Sequence, residues 1–165
     1  MGLLPEKGCE LIEGDVIGSL PSKDDHSLVV TRLFELFSRV RGFLLLLSHF
    51  SLYVSNDTLP EPDFAVLKTP TPTLTPGGYV QTRDVELLIE VSDATLARDL
   101  SAKALLYARA GIAEYWVIDV TGRRLLIHGD PQMGEYTQVT EYAENEIAAP
   151  LFAPAEGFMV SDILP

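Results

Sequence analysis

One stretch of the chain restricts its fold more than any other, because an apolar strand, a helix and a second apolar strand follow each other there. The strands are VELLIEV, residues 85–91, and EYWVID, residues 114–119. Between them the sequence predicts a helix from about Thr95 to Ala110 that stops at Gly111. Strands joined by such a crossover are parallel neighbours. We therefore predict an α/β or α+β fold with a mixed β-sheet flanked by helices.

The segments before this unit predict a hairpin, a helix and a pair of strands. Residues 9–18, CELIEGDVIG, alternate loosely around a Glu-Gly turn. Residues 24–41 have the apolar spacing of an amphipathic helix, with acidic residues at the start and arginines at the end. Residues 49–55 and 62–68 predict two strands that pair around a polar turn.

The Pro- and Thr-rich residues 69–84 predict a long exposed loop, and loops of that length are often functional. Strands in RRLLIHG, in EYTQVTEY and near Phe158 complete a β-rich end. At 165 residues without an internal repeat, the chain is expected to form a single domain over residues 1–165.

Composition predicts a soluble protein of a reducing, cytoplasmic setting. Cys9 is the sole cysteine, so neither an internal disulfide nor a cysteine-based zinc site can form. The start, MGLLPEKGCELIEGD, lacks the basic and apolar segments of a secretory signal. The most apolar run, GFLLLLSHF, is far shorter than the roughly 20 residues that cross a bilayer, so no membrane partner is expected.

The net charge of −12 argues against tight non-specific binding to nucleic acid. From Asp130 to Pro165 the chain has seven acidic residues and no Lys or Arg. A small local site remains possible, because a bound metal can set the charge of such a site.

Three residues are candidates for a shared site. Asp63 follows Pro62 at the start of a predicted strand, and Glu90 lies near the end of the most apolar strand. If these strands are neighbours, the two carboxylates converge, and Mg²⁺ usually binds one or two protein carboxylates. Lys103 lies about 12 Å along the predicted helix, but helical side chains lean toward the N-terminus, so its ammonium can approach Glu90.

Each of these residues also has a structural interpretation. Asp63 could begin a turn or a strand, and Glu90 could face solvent at an edge. Lys103 could pair with Asp99 one helical turn earlier on an exposed face.

Together, the order of these motifs resembles the Uma-type restriction-endonuclease-like family of the PD-(D/E)XK nuclease superfamily. The matching segments are CELIEGDVI, His26 at the start of the first helix, EPDFAVL, LLIEVSDAT, RDLSAKALLYARAGIAEYWVID and RRLLIHG. The resemblance implies a core of a helix, a hairpin, a third strand, a crossover helix and a fourth strand. Two positions depart from common patterns: Ser92 stands where the superfamily usually has its lysine, which is typical of this family, and Asp93 stands where these proteins commonly have proline.

The resemblance also implies roles for individual residues. Asp63 and Glu90 would be ligands of Mg²⁺ or Mn²⁺, the backbone carbonyl of Val91 a third ligand, and Lys103 the catalytic lysine. His26 would face the site, and Glu10 would lie near the metal. Outside these roles, Tyr107 and Trp116 are expected to pack the core.

These observations leave three functional hypotheses. The first is a metal-dependent endonuclease with DNA as its substrate. The second is a nuclease-fold binding module with little turnover, acting through a partner or as a homodimer, which the acidic composition motivates. The third is a metal-free protein in which the three residues form a structural ion-pair cluster.

Overall fold

The structure is a computed structural model that describes residues 9–18, 24–41 and 45–165. The strands are β1 (Cys9–Ile12), β2 (Asp15–Gly18), β3 (Leu46–Ser48), β4 (Leu52–Tyr53), β5 (Phe64–Leu67), β6 (Val80–Gln81), β7 (Val85–Ser92), β8 (Glu114–Asp119), β9 (Arg124–Gln132), β10 (Glu135–Ala143), β11 (Ile147–Ala148) and β12 (Phe158–Met159). The helices are α1 (Asp24–Arg41), α2 (Leu96–Arg98) and α3 (Ala104–Arg109), and a π-helical turn (Asp99–Lys103) joins α2 to α3.

A six-stranded sheet in the order β10-β9-β8-β7-β5-β3 organises the fold. Strands β7 and β8 are parallel, and α2, the π-helical turn and α3 form the crossover between them. The other neighbours in this sheet are antiparallel. Gly111, with φ of +76°, follows α3, where glycine adopts the left-handed backbone at little cost. The predicted mixed sheet and crossover are therefore confirmed.

Strand β7 is buried on both faces of the sheet, and its alternation determines where Glu90 points. Leu87, Ile89 and Val91 share one core cluster with residues of α1. Leu88 belongs to the opposite cluster, which contains residues of α3. Because successive side chains of a strand alternate between faces, Glu90 lies on the side of the crossover helix.

The predicted hairpin at residues 9–18 and the helix at residues 24–41 are both present, as β1-β2 and α1. The predicted hairpin-like pair of residues 49–55 and 62–68 forms only in part. The amides of His49 and Leu52 donate to the carbonyls of Asp63 and Pro60, but the ladder of β5 is with β3. His49 adopts a left-handed backbone with φ of 48° directly after β3, which ends that strand. The following strand, β4, pairs in parallel with β6.

The predicted loop is shorter than expected, because β6 and a 3-10 turn occupy residues 80–84. The prediction about a secretory signal concerns a segment whose residues 1–8 lie outside the described residues. Within the described ranges, no helix is both long enough and apolar enough to cross a membrane.

Candidate active site

Asp63 and Glu90 lie on neighbouring antiparallel strands. The register pairs Phe64 of β5 with Ile89 of β7, so Asp63, just before β5, lies beside the end of β7 that carries Glu90. The backbone N–H of Val91 donates a hydrogen bond to Asp63 Oδ2 at 2.7 Å. This contact fixes the Asp63 carboxylate against the neighbouring strand.

His26, in the first turn of α1, pairs with Asp63, with 2.9 Å between His26 Nε2 and Asp63 Oδ1. The hydrogen bond to Asp63 raises the pKa of His26 above its usual value, although burial opposes the rise. Burial alone would raise the pKa of Asp63, but His26, the Val91 amide and Lys103 together lower it. The pair therefore favours a protonated imidazole beside an ionised carboxylate.

This pairing predicts a pH dependence of stability in metal-free buffer. Because the pKa of folded His26 lies above 6.5, its stabilising contribution is complete below about pH 6.5 and is lost as the pH rises through the folded pKa. Between about pH 6 and pH 9 we expect wild type to lose about 1–2 kcal/mol more unfolding free energy than His26→Gln does. Urea unfolding at both pH values measures the difference.

The matched control for that experiment is His49→Gln. The ring of His49 stacks on His26, with 6.0 Å between the ring centroids, but it leaves the ion pair with Asp63 in place. This variant should keep the pH dependence of wild type. Equal losses in wild type and His26→Gln would contradict the predicted ion pair.

Lys103 is buried between two carboxylates, with 2% of its surface exposed. Its Nζ donates hydrogen bonds to Glu90 Oε1 at 2.9 Å and to Glu10 Oε1 at 2.7 Å. The two carboxylates raise its pKa, although burial opposes the rise, so the side chain is a permanent cation at neutral pH. The structure thus brings Lys103 to Glu90.

The surface pairing of Lys103 with Asp99 is not formed, because Asp99 is itself buried and bound elsewhere. Asp99 Oδ2 accepts hydrogen bonds from Ser92 Oγ at 2.7 Å and Thr95 Oγ1 at 2.6 Å. Asp99 and Lys103 lie at the two ends of the π-helical turn, and π-turns are frequent at functional sites. Ser92, at the usual position of the superfamily's lysine, thus anchors the helix that supplies Lys103.

Tyr107 is a site residue that the sequence analysis assigned only to the core. It is fully buried, and its hydroxyl donates to Glu90 Oε1 at 2.8 Å, the oxygen that also accepts from Lys103. Its spacing of four residues from Lys103 on one helix could have indicated this contact. Trp116 packs the core, as predicted.

The environment of Glu90 disfavours the charged form of its carboxylate. Burial raises its pKa well above the usual range, and the charges of Asp63, Asp99 and Glu10 add to the rise. Lys103 opposes this rise. One ammonium between two carboxylates cannot neutralise both, so the position favours a proton or a further cation at Glu90.

Glu10, on β1, contacts the site by accepting a hydrogen bond from Lys103. Besides the bond from Lys103, Glu10 Oε1 accepts a hydrogen bond from the backbone N–H of Glu61 at 2.9 Å. Its other oxygen, Oε2, lies 3.5 Å from Nη2 of Arg98. The N-terminal hairpin is thereby held against the crossover helix, and Glu10 bears directly on the position of Lys103.

The chemistry of these donors fits a hard divalent ion. Asp63 and Glu90 offer carboxylate oxygens, and Mg²⁺ uses one or two such ligands while it keeps several waters. No described residue donates a hydrogen bond to Oε2 of Glu90, so this oxygen is open to a cation. Within the described ranges, no group of three or more His, Cys, Asp or Glu side chains is arranged to hold a metal. The carbonyl of Val91 stays a predicted third ligand.

Comparison with known proteins extends this picture to fold and family. The structure of "a putative nuclease belonging to DUF820" from Anabaena variabilis is similar, with a TM-score of 0.74 and 16% sequence identity over 97% of this chain and 92% of that chain. At this identity the likeness shows a shared fold. A search of curated proteins finds no match. The model of the Uma2 family, described as "Putative restriction endonuclease", matches residues 3–158. The chain therefore belongs to the Uma2 family, as its motifs predicted.

Proposed function

We propose that the chain is a nuclease that hydrolyses DNA phosphodiester bonds and depends on Mg²⁺ or Mn²⁺. The convergence of Asp63, Glu90 and Lys103 from two strands and a helix carries this proposal. Membership of a family described as "Putative restriction endonuclease" supports the same reaction class. DNA, rather than another phosphodiester, is the substrate that the family description favours.

In the proposed site, Asp63 and Glu90 would hold the ion together with the carbonyl of Val91. When bound, such an ion lowers the pKa of water and offsets the charge of the phosphate. Lys103 keeps its proton, because its pKa is raised, so after a rearrangement that frees it from Glu10 or Glu90 it would act as a positive charge toward the reacting phosphate rather than as a base. His26 and Tyr107 orient the carboxylates through their bonds to Asp63 Oδ1 and Glu90 Oε1.

A plasmid-nicking assay with Mg²⁺ or Mn²⁺ tests the proposal. We expect wild type to nick supercoiled DNA only with the metal, and Asp63→Asn to lose about 100-fold or more of that rate. The control variant is Glu156→Gln, which removes an exposed acidic charge in the C-terminal region and should cleave at the wild-type rate. Equal rates in wild type and Asp63→Asn would indicate a contaminating nuclease and contradict the proposal.

The second candidate function is a nuclease-fold binding module, and the enclosure of Lys103 favours it. A lysine held by Glu10 and Glu90 at 2% exposure is not free to meet a substrate until the site rearranges. Metal-dependent binding of DNA without nicking would support this function. Calorimetry that detects no binding of Mg²⁺ or Mn²⁺ would instead favour a purely structural ion-pair cluster.

A further inference from the structure

Arg98 is the most exposed of the described basic side chains that contact the carboxylates of the site. The exposed fraction of its side chain is 29%, against 17% for His26 and 3% for Lys103. Arg98 ends α2, immediately before the π-helical turn that leads to Lys103. It therefore stands at the rim of the site, on the same helical segment as the buried lysine.

Two carboxylates orient the Arg98 guanidinium without saturating it. Its Nη2 lies 3.5 Å from Glu10 Oε2, and its Nε lies 3.9 Å from Asp99 Oδ1. These distances are long for normal hydrogen bonds. Arg98 Nε is buried and makes no hydrogen bond to any described residue, and the same is true of Asp99 Oδ1. The two carboxylates thus orient the guanidinium at long range, and 29% of the side chain stays exposed to solvent.

A DNA backbone that approaches this site meets mainly negative charge. Four carboxylates, those of Glu10, Asp63, Glu90 and Asp99, interact with one another or with Lys103 there. Lys103 is enclosed by two of them, so it cannot attract the phosphates that flank the cleaved bond. A half-buried arginine at the rim can, since its planar guanidinium matches two phosphate oxygens at once.

We propose that Arg98 binds a backbone phosphate of the substrate next to the cleaved bond, as a positioning residue. Arg98 and Lys103 contact the two oxygens of one carboxylate, with Arg98 Nη2 3.5 Å from Glu10 Oε2 and Lys103 Nζ 2.7 Å from Glu10 Oε1. A phosphate held by Arg98 therefore lies close to the reacting one. This inference rests on the proposed nuclease function.

Steady-state cleavage of a labelled DNA duplex tests the proposal in wild type, Arg98→Gln, Arg98→Lys and Arg109→Gln. A contact made equally in the ground and transition states changes KM and leaves kcat unchanged. We expect Arg98→Gln to raise KM about tenfold, with kcat within about twofold of wild type. The slope of log(kcat/KM) against log salt concentration should fall in magnitude by about 0.9, the value for one lost phosphate contact.

The two other variants separate charge, geometry and structural support. Arg98→Lys should have the wild-type salt slope but a KM above that of wild type. An ammonium keeps the positive charge but cannot bind two phosphate oxygens in the bidentate geometry of a guanidinium. Arg109 lies on the same helical segment and is 4.0 Å from Glu13 of the N-terminal hairpin, but its side chain is 63% exposed and pairs with none of the site carboxylates. Arg109→Gln should match wild type in KM and in salt slope.

The outcomes distinguish this inference from the proposed function. If wild type cleaves DNA and Arg98→Gln has the wild-type KM and salt slope, the Arg98 proposal is overturned and the nuclease function stands. If Arg98→Gln melts at a lower temperature and loses kcat with an unchanged slope, Arg98 is a structural partner of Glu10 and the proposal is again overturned. If wild type cleaves no DNA with either metal, both fall together.

Discussion

Replacement of Lys103 by methionine is expected to lower the free energy of unfolding by about 3–5 kcal/mol. The lysine is buried, and its ammonium bridges Glu10 Oε1 and Glu90 Oε1 at 2.7 and 2.9 Å. Without it, buried Glu90 loses its cationic partner, and Glu10 keeps only Arg98, whose Nη2 lies 3.5 Å from Oε2. Removal of one member of a buried ion pair is costly because the partner charge stays in the interior.

Urea unfolding at neutral pH measures this loss, with Lys68→Met as the control. Lys68 is exposed and its Nζ donates to the backbone carbonyl of Arg83, so its replacement should change stability by only about 0.5 kcal/mol. The double variant Lys103→Met/Glu90→Gln should be more stable than Lys103→Met alone, because the second change removes the buried Glu90 carboxylate that has lost its partner. A loss below about 1 kcal/mol in Lys103→Met would mean that the ion pairs form only weakly in solution.

Lys103 would thus support the fold and also contribute to cleavage, and a rate measurement alone cannot distinguish these two roles. A variant that unfolds loses activity whatever the lysine does in the reaction. Urea unfolding separates them, because it gives the fraction of Lys103→Met that stays folded under the conditions of the cleavage assay, whereas the double variant also lacks the proposed ligand Glu90.

Much of the fold could be predicted because burial leaves a local pattern in the sequence. An apolar run such as residues 85–91, followed by a helix and a glycine stop, has few solutions other than a parallel crossover. That run contains two carboxylates, Glu86 and Glu90, and Glu90 lies near its end, beside the polar turn that leads into the helix. The pairing of β3 with β5 was not predicted. Strand β3 ends at the left-handed backbone of His49, and a histidine in the sequence does not indicate that conformation.

The contacts of the site were harder to predict, because they join distant parts of the chain. Glu10 and Lys103 are separated by 93 positions, and no periodicity links them. The approach of Lys103 to Glu90 was predicted from helix geometry and from the family resemblance, whereas its bond to Glu10 was not. The π-helical turn is equally hidden, since it changes the phase of a helix without any distinctive residue type.

The surroundings of the two candidate ligands, Asp63 and Glu90, shift their pKa values in opposite directions. Asp63 is stabilised in its charged form by His26 and the Val91 amide. Glu90 is destabilised in its charged form by burial and by its acidic neighbours. A bound cation therefore stabilises the charged form of Glu90 more than that of Asp63. Glu90 is thus the better position at which to test for the ion.

Substitution of Glu90 by glutamine should leave the metal-free protein folded and remove both metal binding and cleavage. The amide oxygen of glutamine can still accept the hydrogen bonds from Lys103 and Tyr107, and no buried charge remains at this position. We expect the unfolding free energy without metal to change by only about 1 kcal/mol. At a metal concentration about 100-fold above Kd, wild type should gain about 2.7 kcal/mol, and this gain should disappear in Glu90→Gln.

Cleavage should fall about 100-fold or more in Glu90→Gln, since the ion and its charge are lost from the reacting phosphate. Glu114→Gln is the matched control, because Glu114 is also buried in a central strand and burial likewise raises its pKa. Its carboxylate binds the Trp116 indole and the Leu151 amide rather than any residue of the site. Glu114→Gln should keep the metal-dependent stabilisation and the cleavage rate. If both variants keep the metal-dependent stabilisation, the ion binds elsewhere, and Glu90 serves only to hold Lys103.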